Sequence, residues 1–100
     1  MRPRKRIASS ATVMSEGRLL DAIAVDVSFG GAKIVSPAPI AQGARVSVVL
    51  FVDGELVDAT ATVQWTAPHG PSHHAAGLAF EQLEHDARVH LARFCGVRLS

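Results

Sequence analysis

With one cysteine and no tyrosine, this chain has little material for several common kinds of site. A single thiol forms no internal disulfide and seeds no thiolate-rich zinc centre, so Cys95, in its apolar setting, is expected to be buried and inert. Aromatic residues make up only 5% of the sequence, which argues against the stacking groove of a barrel that holds single-stranded nucleic acid. No apolar run approaches the roughly 18 residues needed to cross a bilayer. The stretch Ile7 to Ser15 follows a basic N-terminus, but Ser9, Ser10 and Thr12 interrupt it and it lacks the apolar core of a secretory signal. The expectation is a soluble, cytoplasmic protein with no membrane insertion. There is no nucleophile-elbow pattern and no phosphate-binding glycine loop with its lysine. Of the five histidines, His69, His73 and His74 sit in a Pro/Gly loop and His85 and His90 in a helical stretch, without a carboxylate or thiolate set to complete a metal site. Neither catalysis nor a bound metal is expected.

What is present suits one small binding domain. One hundred residues, 48% of them hydrophobic, close a single core and leave no room for a second domain. The net charge of +1 conceals an uneven distribution: Arg2, Arg4, Lys5 and Arg6 place four cations in the first six residues, and the remainder carries six basic against nine acidic residues. A protein that tracks a long nucleic acid spreads its cations along a face, whereas a local basic arm suits a compact anion. No DNA or RNA partner is expected.

Period-two alternation dominates the chain. Val57, Ala59, Ala61, Val63 and Trp65 fall on one face and Asp58, Thr60, Thr62 and Gln64 on the other, the pattern of a half-buried strand. Val46, Val48, Leu50 and Val52 alternate likewise, and Asp53-Gly54 joins the two runs as a tight hairpin turn. Ile7 to Ser15 and Leu19 to Ser28 read as strands around the turn Ser15-Glu16-Gly17-Arg18. Ala32 to Ser36 is a short strand stopped by Pro37 and Pro39, and a last strand places Ala76, Leu78 and Phe80 on one face. Trp65 and Phe80 are expected in the core. From Leu83 the period lengthens: Leu83, Ala87, Leu91 and Phe94 line one side of a helix over residues 83–95, with Glu84 and Arg88 one turn apart and Gly96 as its stop. Six strands and a helix predict a mainly β fold, a small antiparallel barrel (residues 7–81) with a C-terminal helix packed on it.

Asp26-Val27-Ser28-Phe29-Gly30-Gly31 carries the chemistry. Ile23, Val25 and Val27 are expected to point inward, which turns Asp26 and Ser28 together to the outer face, before a turn where Gly30 and Gly31 let another group approach the backbone. An ionised carboxylate accepts hydrogen bonds and a hydroxyl both accepts and donates, which suits the N–H and amino edge of guanine. The same residues are also ordinary turn chemistry. In the arm, guanidinium groups fit phosphate oxygens and the O6/N7 edge of guanine with paired hydrogen bonds, while a plain basic tail is the alternative.

Together the two segments resemble the PilZ family, whose pattern is an Arg-x-x-x-Arg arm followed by Asp or Asn-x-Ser-x-x-Gly; here these are Arg2 and Arg6, then Asp26, Ser28 and Gly31. Gly31-Ala32-Lys33-Ile34, Val63-Gln64-Trp65, Gly77-Leu78-Ala79-Phe80 and the terminal helix look like later landmarks of that family. The resemblance implies a six-stranded PilZ-type barrel that binds cyclic di-GMP, no other cofactor, through a flexible arm over residues 1–6 that orders on the ligand. It implies Arg2 and Arg6 on phosphates and guanine, Asp26 with Ser28 on a guanine edge, and Gly31 keeping the surface open; Arg4, Lys5 and Gly30 are possible accessories. One domain of this size is expected to signal through a downstream protein, with motility, surface polysaccharide or virulence as the implied processes. The rival is a module of the same fold that binds proteins alone.

Overall fold

In the computed structural model, which describes residues 4–98, six strands and one helix follow in chain order: β1 Arg4–Ser15, β2 Arg18–Ser28, β3 Gly31–Ser36, β4 Arg45–Val52, β5 Glu55–His69, β6 His73–Leu83 and α1 His85–Cys95. All pairings are antiparallel, and the strands close into a barrel in the order β1-β2-β3-β6-β5-β4, with β1 against β4 sealing the last seam. Closure removes every free strand edge, as a chain this rich in alternating strands requires. Both predicted hairpin turns carry positive φ at two successive residues, Glu16 and Gly17 in one, Asp53 and Gly54 in the other, a twist that matches the flanking strands. The turn between β3 and β4 is tied to β5, where the Gly43 N–H donates to the Val63 carbonyl at 2.8 Å and the Val63 N–H to the Ala44 carbonyl at 2.9 Å.

The interior is filled by β-branched and leucine side chains at alternate positions, among them Val13, Val27, Ile34, Val48, Leu50, Val57 and Val63. α1 closes one end, burying Leu91, Ala92 and Cys95. Its C-terminus is a left-handed Gly96 (φ 73°) whose successor, Val97, donates its N–H to the Ala92 carbonyl at 2.8 Å, as the glycine stop predicts. The helix is also clasped at its middle: the His90 ring reaches the Glu55 carboxylate at 3.0 Å through Nδ1 and the Val52 carbonyl through Nε2. No helix among the described residues is long and apolar enough to cross a membrane.

Three sequence expectations shift. β1 begins at Arg4 rather than Ile7, so half of the basic arm pairs with the end of β2: Arg4 with Ser28, Lys5 with Val27, Arg6 with Asp26. Strand pairing is a backbone matter, and charged side chains do not stop it. At the other end, β6 runs through Leu83 and the helix starts at His85. Two inward assignments fail at β-bulges. Ile23 is 49% exposed while Ala22 and Ala24 are buried, because the register slips by one residue between Ala24 and Asp26. The slip returns Val27 to the interior and leaves Asp26 half-buried, while Ser28 at the strand end is buried rather than presented on the outer surface. Trp65 is 38% exposed because a second slip between Val63 and Trp65 turns the indole outward. Phe80 is only partly buried, packed against the core cluster.

Candidate functional site

The pairing that closes the barrel lays one row of residues across five strands: Arg6 beside Asp26, Asp26 beside Lys33, Lys33 beside Gly77, and Gly77 beside Trp65. Paired residues share a face of the sheet, so this row looks outward. Beside it opens a recess of about 440 Å³ whose lining includes Arg4, Ser28, Gly30, Gly31, Trp65 and Gly77.

Arg4 and Ser28, two of the polar side chains that line the recess, have identifiable anchors. Arg4 Nη1 lies 3.2 Å from Asp26 Oδ1, an ion pair whose carboxylate side chain is 21% exposed and whose guanidinium is 62% exposed. Ser28 is buried at the strand end: its Oγ accepts from the Gly30 N–H at 3.3 Å and donates to the Gly31 carbonyl at 3.4 Å. The hydroxyl therefore pins the turn that carries Gly30 and Gly31. The neighbouring Phe80 N–H donates to the Gly30 carbonyl at 2.8 Å, which stitches that turn to β6.

Two of the three glycines that line the recess make close approaches. A Cβ on Gly31 would fall 2.0 Å from the Leu78 carbonyl oxygen, inside the β3–β6 ladder. One on Gly77 would fall 2.0 Å from the indole nitrogen of Trp65. The Trp65 ring thus lies flat across Gly77, and Lys33 Nζ stands 5.9 Å from the ring centre. The ensemble offers a carboxylate acceptor, guanidinium donors, an ammonium group and an aromatic wall around an open glycine floor. A planar, hydrogen-bonding anion is the ligand class that uses all of these. A second recess of about 330 Å³ adjoins through Gly30 and includes Phe29, Phe80 and Arg88 in its lining.

Of the residues singled out in the sequence, Arg4, Lys5, Arg6, Asp26, Ser28, Gly30 and Gly31 come together at the paired ends of β1, β2 and β3. Arg2 lies outside the described residues. The guanidinium on Asp26 belongs to Arg4, which the motif spacing ranks below Arg6. Lys5 faces the opposite way, toward α1, with its Nζ 5.8 Å from the centre of the Phe94 ring. Sequence reasoning missed Lys33, Gly77 and Trp65. A tryptophan and a glycine on neighbouring strands are the usable signal, since an indole can lie across a sheet only where its neighbour has no side chain. Among the described residues no three or more His, Cys, Asp or Glu side chains gather as a metal site; His69 and His73 pair at the tip of the β5–β6 hairpin, and His85 and His90 lie on α1.

The family model described as PilZ domain matches residues 2–96. Among solved structures, the chain is similar to the Bacillus subtilis inhibitor of motility (MotI/DgrA), with a TM-score of 0.83 at 13% identity over 95% of this chain and 48% of that one. It is also similar to the PilZ domain of CeSA from a cellulose-synthesizing bacterium, with a TM-score of 0.66 at 18% identity over 93% of this chain and 94% of that one. The chain thus spans about half the length of the motility inhibitor. No curated protein matches it.

Proposed function

Because this chain belongs to the PilZ domain family, a family of cyclic di-GMP receptors and not of enzymes, we propose that it binds cyclic di-GMP in the recess beside Asp26 and signals through a partner protein. The observation that carries this reading is the Arg4–Asp26 pair at the rim of an open recess walled by Trp65. Asp26 accepts hydrogen bonds from the guanine edge, displacing or sharing with Arg4. Ser28 holds the Gly30-Gly31 turn and offers its oxygen beside the carboxylate. Arg6, one row from Arg4 on the same outward face, and Arg2 hold phosphate and the O6/N7 edge. Arg4, released from Asp26, joins them, and the arm reorders over the ligand as it does so. The indole of Trp65 gives the base a flat apolar surface.

Calorimetric titration with cyclic di-GMP tests the reading. Asp26→Ala and Arg6→Ala should each weaken binding by about 1–3 kcal/mol, the worth of a good paired contact to a base. Unchanged affinity in both variants would place the site elsewhere. The partner is tested by capture with and without the nucleotide: an identical set of bound proteins argues against a ligand-controlled adaptor.

A further inference from the structure

The residues that bear the recess alternate with residues that seat the helix. Lys5, between Arg4 and Arg6, stands over Phe94 at 5.8 Å. Val27, between Asp26 and Ser28, is buried, and its carbonyl accepts from the Cys95 thiol at 3.9 Å. Phe29, between Ser28 and Gly30, has the Arg88 guanidinium 5.9 Å from its ring centre. Period-two geometry sends neighbouring residues to opposite faces of a strand. In the strands it sends Lys5 and Val27 away from Arg4, Arg6, Asp26 and Ser28, toward α1, while Phe29 meets the helix from the turn that follows β2.

On the receptor reading above, we infer that α1 is the readout element of the site: its docking on Lys5, Val27 and Phe29 and occupancy of the recess stabilise each other. A ligand held by Arg6 and Asp26 fixes the paired ends of β1 and β2, and these ends carry Lys5 and Val27 with them. Binding therefore tightens α1 on the barrel, and by reciprocity anything that loosens α1 weakens binding, although α1 contributes nothing to the lining of the main recess. The clasp of His90 on Glu55 and Val52 holds the middle of the helix to the β4–β5 hairpin. The coupling consequently falls on either side of that clasp, on Arg88 over Phe29 and on the last turn, where Phe94 meets Lys5 and Cys95 meets Val27.

Cys95, the sole thiol, is buried in that turn and reports its opening. Wild type and Phe94→Leu, a neutral change outside the recess, are titrated with cyclic di-GMP, and the rate of Cys95 labelling by a thiol reagent is followed with and without saturating nucleotide. Phe94→Leu should raise Kd by about two- to fivefold at unchanged stoichiometry, the range that a partly exposed cation–π contact supports. The nucleotide should slow labelling in wild type and slow it less in the variant. Heat of binding in wild type with an unchanged Kd in Phe94→Leu overturns the coupling and leaves the receptor reading standing; no heat in wild type removes both. Should Phe94→Leu fail to fold, Lys5→Met serves, read without nucleotide. Loosening of α1 makes Cys95 label faster than in wild type, whereas loss of the lysine charge alone leaves less thiolate and slows it. Slower or equal labelling in Lys5→Met overturns the inference.

Discussion

Replacing Gly31 by alanine separates two accounts of the motif glycine, one in which it keeps the ligand surface open and one in which it lets two strands meet. The added Cβ would sit 2.0 Å from the Leu78 carbonyl oxygen, whereas carbon and oxygen at rest keep at least 3.0 Å. The obstacle is backbone within a closed barrel, so no side chain can swing aside. β3 and β6 must part locally by about 1 Å or more at a seam where strands lie about 4.8 Å apart. That displacement stretches the neighbouring ladder bonds beyond hydrogen-bonding range, and each buried backbone group left unpaired costs about 1–3 kcal/mol. Allowing for relaxation, the expected loss is about 2–4 kcal/mol, which for a domain of this size lowers Tm by roughly 10–30 °C. Gly77→Ala supplies the internal contrast. Its Cβ meets the indole of Trp65, a partly exposed side chain that can move, so stability should change by less than about 1 kcal/mol while the wall of the recess is lost. Urea and thermal unfolding of the three proteins decide the matter. A Gly31→Ala protein within about 0.5 kcal/mol of wild type would show that the close approach to Leu78 does not exist, and the structural account of that glycine would fall.

Trp65 is the sole tryptophan and forms part of the recess wall, so its emission should change on addition of cyclic di-GMP with the same midpoint as the calorimetric titration; emission that stays constant through saturation refutes its place at the ligand. His90→Phe keeps a ring but removes the bonds to the Val52 carbonyl and the Glu55 carboxylate, and urea unfolding should register a loss of about 1–2 kcal/mol, whereas Glu55→Gln, at a 67% exposed side chain, should cost under about 1 kcal/mol. Burial pushes the Cys95 thiol up, with Lys5 opposing. The unfolded chain then releases that proton first as pH rises, so this group's contribution to stability declines above about pH 8.5, the ordinary thiol value. Urea midpoints measured on either side of that pH should show the decline in wild type and a flatter dependence in Cys95→Ala; equal slopes would refute it.

Local signals were reliable wherever a short segment decides its own conformation. Asp53-Gly54 and Glu16-Gly17 adopt the positive φ angles that their composition favours, and Gly96 stops α1 where the change of period ends. The errors cluster where neighbouring strands decide. Nothing in Asp21 to Ser28 announces the extra residue that puts Ile23 outside and Val27 inside, and nothing in Val63-Gln64-Trp65 announces that the tryptophan leaves the core. Both bulges arise because a six-stranded barrel must bend to close, and the register of the partner strand selects the residue at which it does so. The motif marked Arg6 and Asp26 from their spacing, but the tertiary pairing gave Asp26 to Arg4.

The sequence by itself determined the strands, the turns, the terminal helix and the Asp26 to Gly31 segment, because alternation, turn chemistry and motif spacing are properties of consecutive residues. Only the tertiary structure decided which side chains gather at the recess: Gly77 and Trp65 are joined to Asp26 by a row of pairings across three seams, between residues far apart in the chain. It also decided that α1 rests on the back of the same segments, since a contact between Lys5 and Phe94 is set by barrel closure and by no pattern local to either end.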